Sequence, residues 1–473
     1  MSFTLKKIRY YILNTTSLIV GISTLILFFF SSLRHALFQS GALDLGFFDQ
    51  GIYLLSQGLV PNSSIIDIHL LADHAAFILY PISFLYRIYP DIHWLFLIQA
   101  ITISIGIIPI LNLSFQQGLT NKQSYLSVII YLLSPIIFNA NSTYDFHPDI
   151  FIVPLALWAV LYARQGKVIR FYFCIVGILS CKAVFSLTVI ALGIWLILFE
   201  KKRFMGVIAI IIGILWILIS TQIIMPMLGG DNANPVRHLF RYSSLGNSYS
   251  EILLNFILKP NLLLVKVFST DSLIYLLLLF APFIWCFRYA NLNYLIPAIP
   301  TIAMNILSTD PQQRYLANHY PLPILPFLIL MAIPSIASFT SQKKWGYKFI
   351  IFWAVLSFVT MSRLNLFAGE YLATLDTRQA TNEAISMVKT KGSLLTTHEI
   401  SPHLTHRPEV RLAFSDTPHN LEQFDYILLN TRYPGYRSDS DYALSLVDQA
   451  KKMSSLKLEY QKDDVYLFIR PDL

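Results

Sequence analysis

Charged side chains are scarce in this sequence of 473 residues: Asp, Glu, Lys and Arg together make up 13%, about half their share in soluble domains. A uniformly water-exposed surface is therefore excluded. Cysteine is nearly absent, and Cys174, Cys181 and Cys286 each lie inside an apolar stretch, which argues against a disulfide framework or a zinc-binding cysteine set. No glycine-rich loop stands between a strand and a helix, and no Ser/His/Asp or Cys/His pattern can be defended. Phosphate-loop nucleotide chemistry and covalent hydrolysis by a triad are thus unsupported. No internal repeat is visible, as an inverted-repeat transporter would require.

Apolar residues are abundant: 55% of the chain is hydrophobic and mean hydropathy is +0.56. Runs close to the roughly 20 residues that cross a bilayer recur from residue 11 to residue 363. The net charge of +8 is gathered in short clusters between these runs, which fits membrane orientation better than nucleic acid. With "LKKIR", "ARQGKVIR" (163–170), "EKKR" (200–203) and "SQKKWGYK" (341–348) inside, the alternation closes with about 11 spans. These fall near 11–31, 92–113, 124–142, 149–163, 168–181, 183–199, 204–228, 271–288, 292–308, 320–338 and 347–364. The first is an uncleaved signal anchor. The parity needs "DHAAFILYPISFLYRIYP" (73–90) to lie in the outer interface as a short helix.

The resulting expectation is an α-helical polytopic membrane protein with a small C-terminal α/β domain. Residues 1–364 form the transmembrane region, with outer loops 32–91 and 229–270, and residues 365–473 a soluble domain. The N-terminus is cytoplasmic and the C-terminal domain extracytoplasmic. Within that domain "TNEAISMVKTK" and "SDYALSLVDQAKKM" read as helices. "GSLLTT", "FDYILLN" and "LKLEYQKDDVYLFIR" read as strands.

This threading sends several polar groups to one outer side. "GALDLGFFDQG" carries Asp44 and Asp49, with Gln50 as a substrate contact. Either carboxylate is a helix cap or solvated loop group, or a general base whose pKa an apolar setting raises. Asp44 is the first choice and Asp49 the second. "YDFHPD" gives Asp145, His147 and Asp149, which with His74 form a possible ligand set for Mg²⁺ or Mn²⁺, or else a capped helix start. Lys182 needs an anion or must snorkel. Arg314 and His319 could hold a phosphate. His398, His403 and His406 are spaced like loop or helix-surface histidines, with a metal site as the lesser alternative. Loop 229–256, with Arg237 and Arg241, reads as a gate or a connector.

Five strings, "LDLGFFDQ", "DHAAFILYPISFLYRIYP", "YDFHPD", "HYPLPILPFL" and "SPHLTHRPEVRLAF…FDYILLN", resemble in that order a bacterial multi-pass family catalogued as domain of unknown function 2079. That family is similar to the C-type glycosyltransferase superfamily. The resemblance implies sugar transfer from a polyprenyl-phosphate donor at the outer face of the bacterial plasma membrane. It also implies an acidic base in the first outer loop, matching Asp44 or Asp49, and an interfacial helix opening with a histidine, matching His74. Where the pattern expects two acids after a lysine, this chain has Lys182, Ala183 and Val184, so no acid or metal role carries over to those positions. The alternative reading is a non-catalytic membrane protein or lipid-linked glycan transporter of the same architecture.

Overall fold

The computed structural model describes residues 2–229 and 238–471. Four of its helices are long and apolar enough to cross a membrane: Asn14–Ala36, His93–Gln116, Arg203–Gly229 and Leu325–Gln342. Three bent pairs raise the number to seven: Asn121–Leu132 with Pro135–Thr143, Pro260–Val267 with Thr270–Cys286, and Gly346–Met361 with Arg363–Leu372. Pro135 explains the first break, since it opens the second helix where a missing N–H is tolerated; at the second, Ser269 caps the following helix by accepting from the Ser272 N–H. The remaining expected spans are shorter apolar helices such as Val168–Leu179 and Phe185–Leu198. The protein is thus a polytopic helical membrane protein, with fewer full-length spans by length and composition than the sequence reading counts.

Arg203–Gly229 leaves most of its surface apolar and uncovered, including Ile211, Leu215 and Ile223, which only a lipid environment tolerates. Its inner side packs on Phe185–Leu198 through Gly193 and Gly206. A Cβ on either would come within 2.6 Å of the other's carbonyl oxygen, so this close backbone approach requires glycine. Leu79–Ile88 has only 10 residues, about half the length that crosses a bilayer. It exposes Phe84 and Ile88, as a helix lying in an interface does.

Residues 32–91, the expected first outer loop, carry a small hairpin, β1 (Asn62–Ser63) and β2 (Ile68–His69). The C-terminal region forms a sheet of β3 (Leu394–Thr396), β4 (Val410–Leu412), β5 (Tyr426–Asn430), β6 (Lys457–Lys462) and β7 (Val465–Ile469), in the order β4-β3-β5-β7-β6. β3 runs parallel to β4 and β5, while β7 is antiparallel to β5 and β6. Helix Ser440–Lys451 covers one face with Leu446 and Val447. The other face is covered by Ala380 and Ala384 of Leu375–Met387 and by Ala42 and Ile65 of the first outer loop. The loop is therefore part of this domain's core, which sets the position of everything near Asp44.

Candidate functional site

Asp44 sits in a five-residue π-helical turn, Ala42–Gly46, that runs into helix Phe47–Ser56. Such turns widen a helix and re-aim a side chain. Opposite it, the residue before Pro148 is forced extended: His147 has φ −140° and ψ 144°. The extended stretch turns successive side chains to opposite sides, and Pro148–Phe151 then starts the next helix.

Tyr144 donates to Asp44 Oδ2 at 2.9 Å, and His147 Nε2 lies 3.5 Å from Asp44 Oδ1. Burial in this recess, with Asp145 nearby, pushes the Asp44 carboxyl up to about 6, against the opposing effects of Tyr144, Lys182 and His398. Its side chain still exposes 35% of its surface. The carboxyl is crowded by protein yet open to a small molecule. Asp145 is occupied differently, accepting from Arg34 at 2.7 Å and from the Gly41 N–H at 2.9 Å.

Behind His147, His319 is stacked with ring centroids 3.8 Å apart, and burial holds both imidazoles well below their ordinary pKa. Lys182 stands at the break between Val168–Leu179 and Phe185–Leu198. Its Nζ pairs with Asp149 Oδ2 at 2.7 Å and lies 3.4 Å from His319 Nε2. The Ala183 N–H donates to the His74 carbonyl, which fixes the short helix Leu70–His74 beside this break.

These groups close one end of a cavity of about 420 Å³. Asp73, His74, Asp149, Lys182, His238 and Arg241 line its polar end, and Val184, Leu187, Ile217, Phe256 and Met304 belong to a mainly apolar remainder. The space is amphipathic, with ionisable groups at one end only.

The sequence expectations separate here. Asp44, His147, Lys182, Asp149 and His319 form one connected group, and His74 joins it at the cavity end. Asp49 does not: it accepts from Tyr86 at 2.6 Å and from Thr405, and lies 3.1 Å from His406 Nε2. Gln50 is fully buried and is used up by Ser63, Ser64 and the Arg407 carbonyl. Both tie the first outer loop to the C-terminal domain. Arg314 donates to the Ser308 and Asn305 carbonyls at the end of helix Ile299–Leu307. Arg241, over the Tyr320 ring, lines the cavity instead. Arg237 lies outside the described residues.

Asp145, His147, Asp149 and His74 do not gather as one ligand set, because Asp145 is held by Arg34 and Asp149 by Lys182. Among the described residues, the group with metal-ligand spacing is Asp73, His74 and His238, whose donor atoms all lie within 4.8 Å of one another. Sequence reasoning missed Arg34, Tyr144 and His398 as parts of the site. Tyr144 was legible as the first residue of "YDFHPD". His398 was not, since it arrives from the C-terminal domain to lie against Gly41.

Apolar helices long enough to cross a bilayer, together with a recess in which a carboxyl of raised pKa adjoins a mainly apolar cavity, define a polytopic membrane protein with one connected polar site. Residues 34–467 match the family model described as "Predicted membrane protein (DUF2079)", and the chain belongs to that family. No curated protein matches the sequence. Among solved structures, the chain is similar to ArnT from Cupriavidus metallidurans bound to undecaprenyl phosphate. Identity is 13%, 96% of this chain and 98% of that chain are covered, and the TM-score is 0.52. The likeness shows a shared C-type glycosyltransferase fold.

Proposed function

We propose that the protein is a membrane glycosyltransferase that moves a sugar from a polyprenyl-phosphate donor to an acceptor at the extracytoplasmic face. The observation that carries this is the cavity with an apolar body and an ionisable end that adjoins Asp44 through His147, His319 and Lys182. A lipid phosphate has that polarity, and ArnT holds one in the same fold. The distribution of basic clusters supports a cytoplasmic N-terminus and an extracytoplasmic C-terminal domain, and on that reading the recess lies at the outer leaflet of a bacterial plasma membrane.

Asp44 is the base. It takes the proton of an acceptor hydroxyl as that oxygen attacks the anomeric carbon, and the bond to the phosphate oxygen breaks. The polyprenyl phosphate leaves. One carboxylate suffices for this single inverting displacement, and Asp145 is neutralised by Arg34. Lys182 and Arg241 face the departing phosphate.

Asp149 and Asp310 offset these two cations, so further positive charge is needed there. Asp73, His74 and His238 suit a divalent cation, since His238 lies 3.3 Å from Asp73 and neither of its buried ring nitrogens makes a well-formed hydrogen bond. A bound Mg²⁺ or Mn²⁺ would neutralise phosphate charge.

The test is purified protein in nanodiscs with a panel of polyprenyl-phosphate sugars, with and without Mn²⁺, scored by thermal shift and by release of polyprenyl phosphate. Release lost in Asp44→Asn supports the transferase. Stabilisation without release favours a lipid-linked glycan carrier, the reading that the absence of acids at Ala183 and Val184 would favour.

A further inference from the structure

A second cavity, of about 440 Å³, lies between the end of the first helix, the start of Leu375–Met387 and the C-terminal sheet. Its lining is mostly uncharged and polar: Thr374, Thr377, Thr381, Asn430 and Ser438, with the Glu399 carboxylate. Phe38 and Tyr433 add aromatic surface. Glu399 and Ser438 both line the cavity, and the Glu399 side chain keeps 29% of its surface exposed, which leaves an acceptor for a ligand hydroxyl. The only guanidinium among the lining residues, that of Arg432, is held between Asp376 and Asp464. With Glu370 and Glu399 both present, the cavity disfavours an anion.

The wall between this cavity and the recess is thin. His398, the neighbour of Glu399, has Cε1 only 2.9 Å from where a Cβ on Gly41 would stand. Gly41 donates to Asp145, whose neighbour Tyr144 holds Asp44. Asp44 is thus linked to the polar cavity through Tyr144, Asp145, Gly41 and His398, and to the first cavity through His147, His319 and Lys182.

We infer that the second cavity binds a neutral, polyhydroxylated saccharide, the acceptor of the transfer, with Glu399 accepting from its hydroxyls and an aromatic ring beneath it. The identification as acceptor rests on the transferase reading above; the binding of saccharide does not.

The experiment uses the full chain in nanodiscs, with chito-oligosaccharides and malto-oligosaccharides as soluble probes and undecaprenyl phosphate as a separate one. Wild type retains at least one oligosaccharide. Glu399→Gln and Ser438→Leu each weaken it about tenfold, the loss of one hydrogen bond or of the space for it at the lining, and leave undecaprenyl phosphate binding unchanged. Retention of no oligosaccharide, or equal retention by wild type and both variants, overturns the inference. Saccharide binding with that variant pattern, but no binding of undecaprenyl phosphate, overturns the lipid-donor reading and leaves this one standing.

Discussion

His147 lies flat against His319, with ring centroids 3.8 Å apart and planes 10° from parallel. Both are buried, and both are held well below the ordinary histidine value of 6.5. Two stacked imidazoles beside Lys182 stay neutral because a proton on either would face a like charge with little water to screen it.

A pH dependence of stability follows. The folded-state pKa values lie below the unfolded one, so the stabilisation is complete above pH 6.5 and is lost as pH falls below it. Thermal unfolding in nanodiscs should shift to lower temperature between pH 7.5 and pH 5.5, by about 4 °C or more per kcal/mol lost in a small domain and less in a chain of this size. His319→Gln should flatten that dependence. An equally steep curve in the variant would assign it elsewhere.

Asp44→Asn should abolish transfer, a loss of about 10²–10⁴-fold for a missing general base, while undecaprenyl phosphate binding persists. In wild type the rate should rise with pH through about 6, where Asp44 ionises. The groups acting on it are Asp145, Tyr144, Lys182 and His398. Tyr144→Phe removes a donor that favours the carboxylate, so it should move this limb to higher pH.

Asp49→Asn should behave differently. Its carboxylate holds Tyr86 and Thr405 and lies beside His406, so the loss is in stability, about 2 kcal/mol for hydrogen bonds to a buried charge. Proteolysis of the C-terminal region should accelerate, and transfer should fall only as far as that region detaches.

Lys182→Met should destabilise by about 3–5 kcal/mol, because Asp149 would keep a buried charge without its partner. The double variant Lys182→Met/Asp149→Leu should regain much of that stability, measured by thermal unfolding. Neither should bind lipid phosphate. Normal binding by the double variant would remove Lys182 from the phosphate site.

Much of the site was visible in the sequence because ionisable residues are rare in this chain and those at loop ends stand out. Asp44, His147, Asp149, Lys182 and His319 were found that way. Their pairings were not visible. Asp44 and Asp49 are five residues apart, which on a helix points them about 140° from one another, and an intervening π turn changes that angle in a manner no periodicity reports. Arg314 looked like a phosphate ligand, but it lies just past the end of Ile299–Leu307, where open carbonyls attract a guanidinium. The docking of the C-terminal domain was wholly hidden. Its strands were readable from alternating apolar residues, whereas the contact of its loop with Gly41 depends on surfaces distant in the chain.

That docking gives the protein a timetable. The Thr405 hydroxyl that meets Asp49 is 356 residues away in sequence, and at about 5–20 residues per second of synthesis it follows by roughly 20–70 seconds. Through that interval the first outer loop lacks the sheet face on which Ala42 and Ile65 pack. A nascent chain already inserted in the bilayer thus lacks this packing until its far end has been synthesised and has folded against the loop. Completion of the fold, rather than insertion, is therefore the event that completes the surroundings of Asp44.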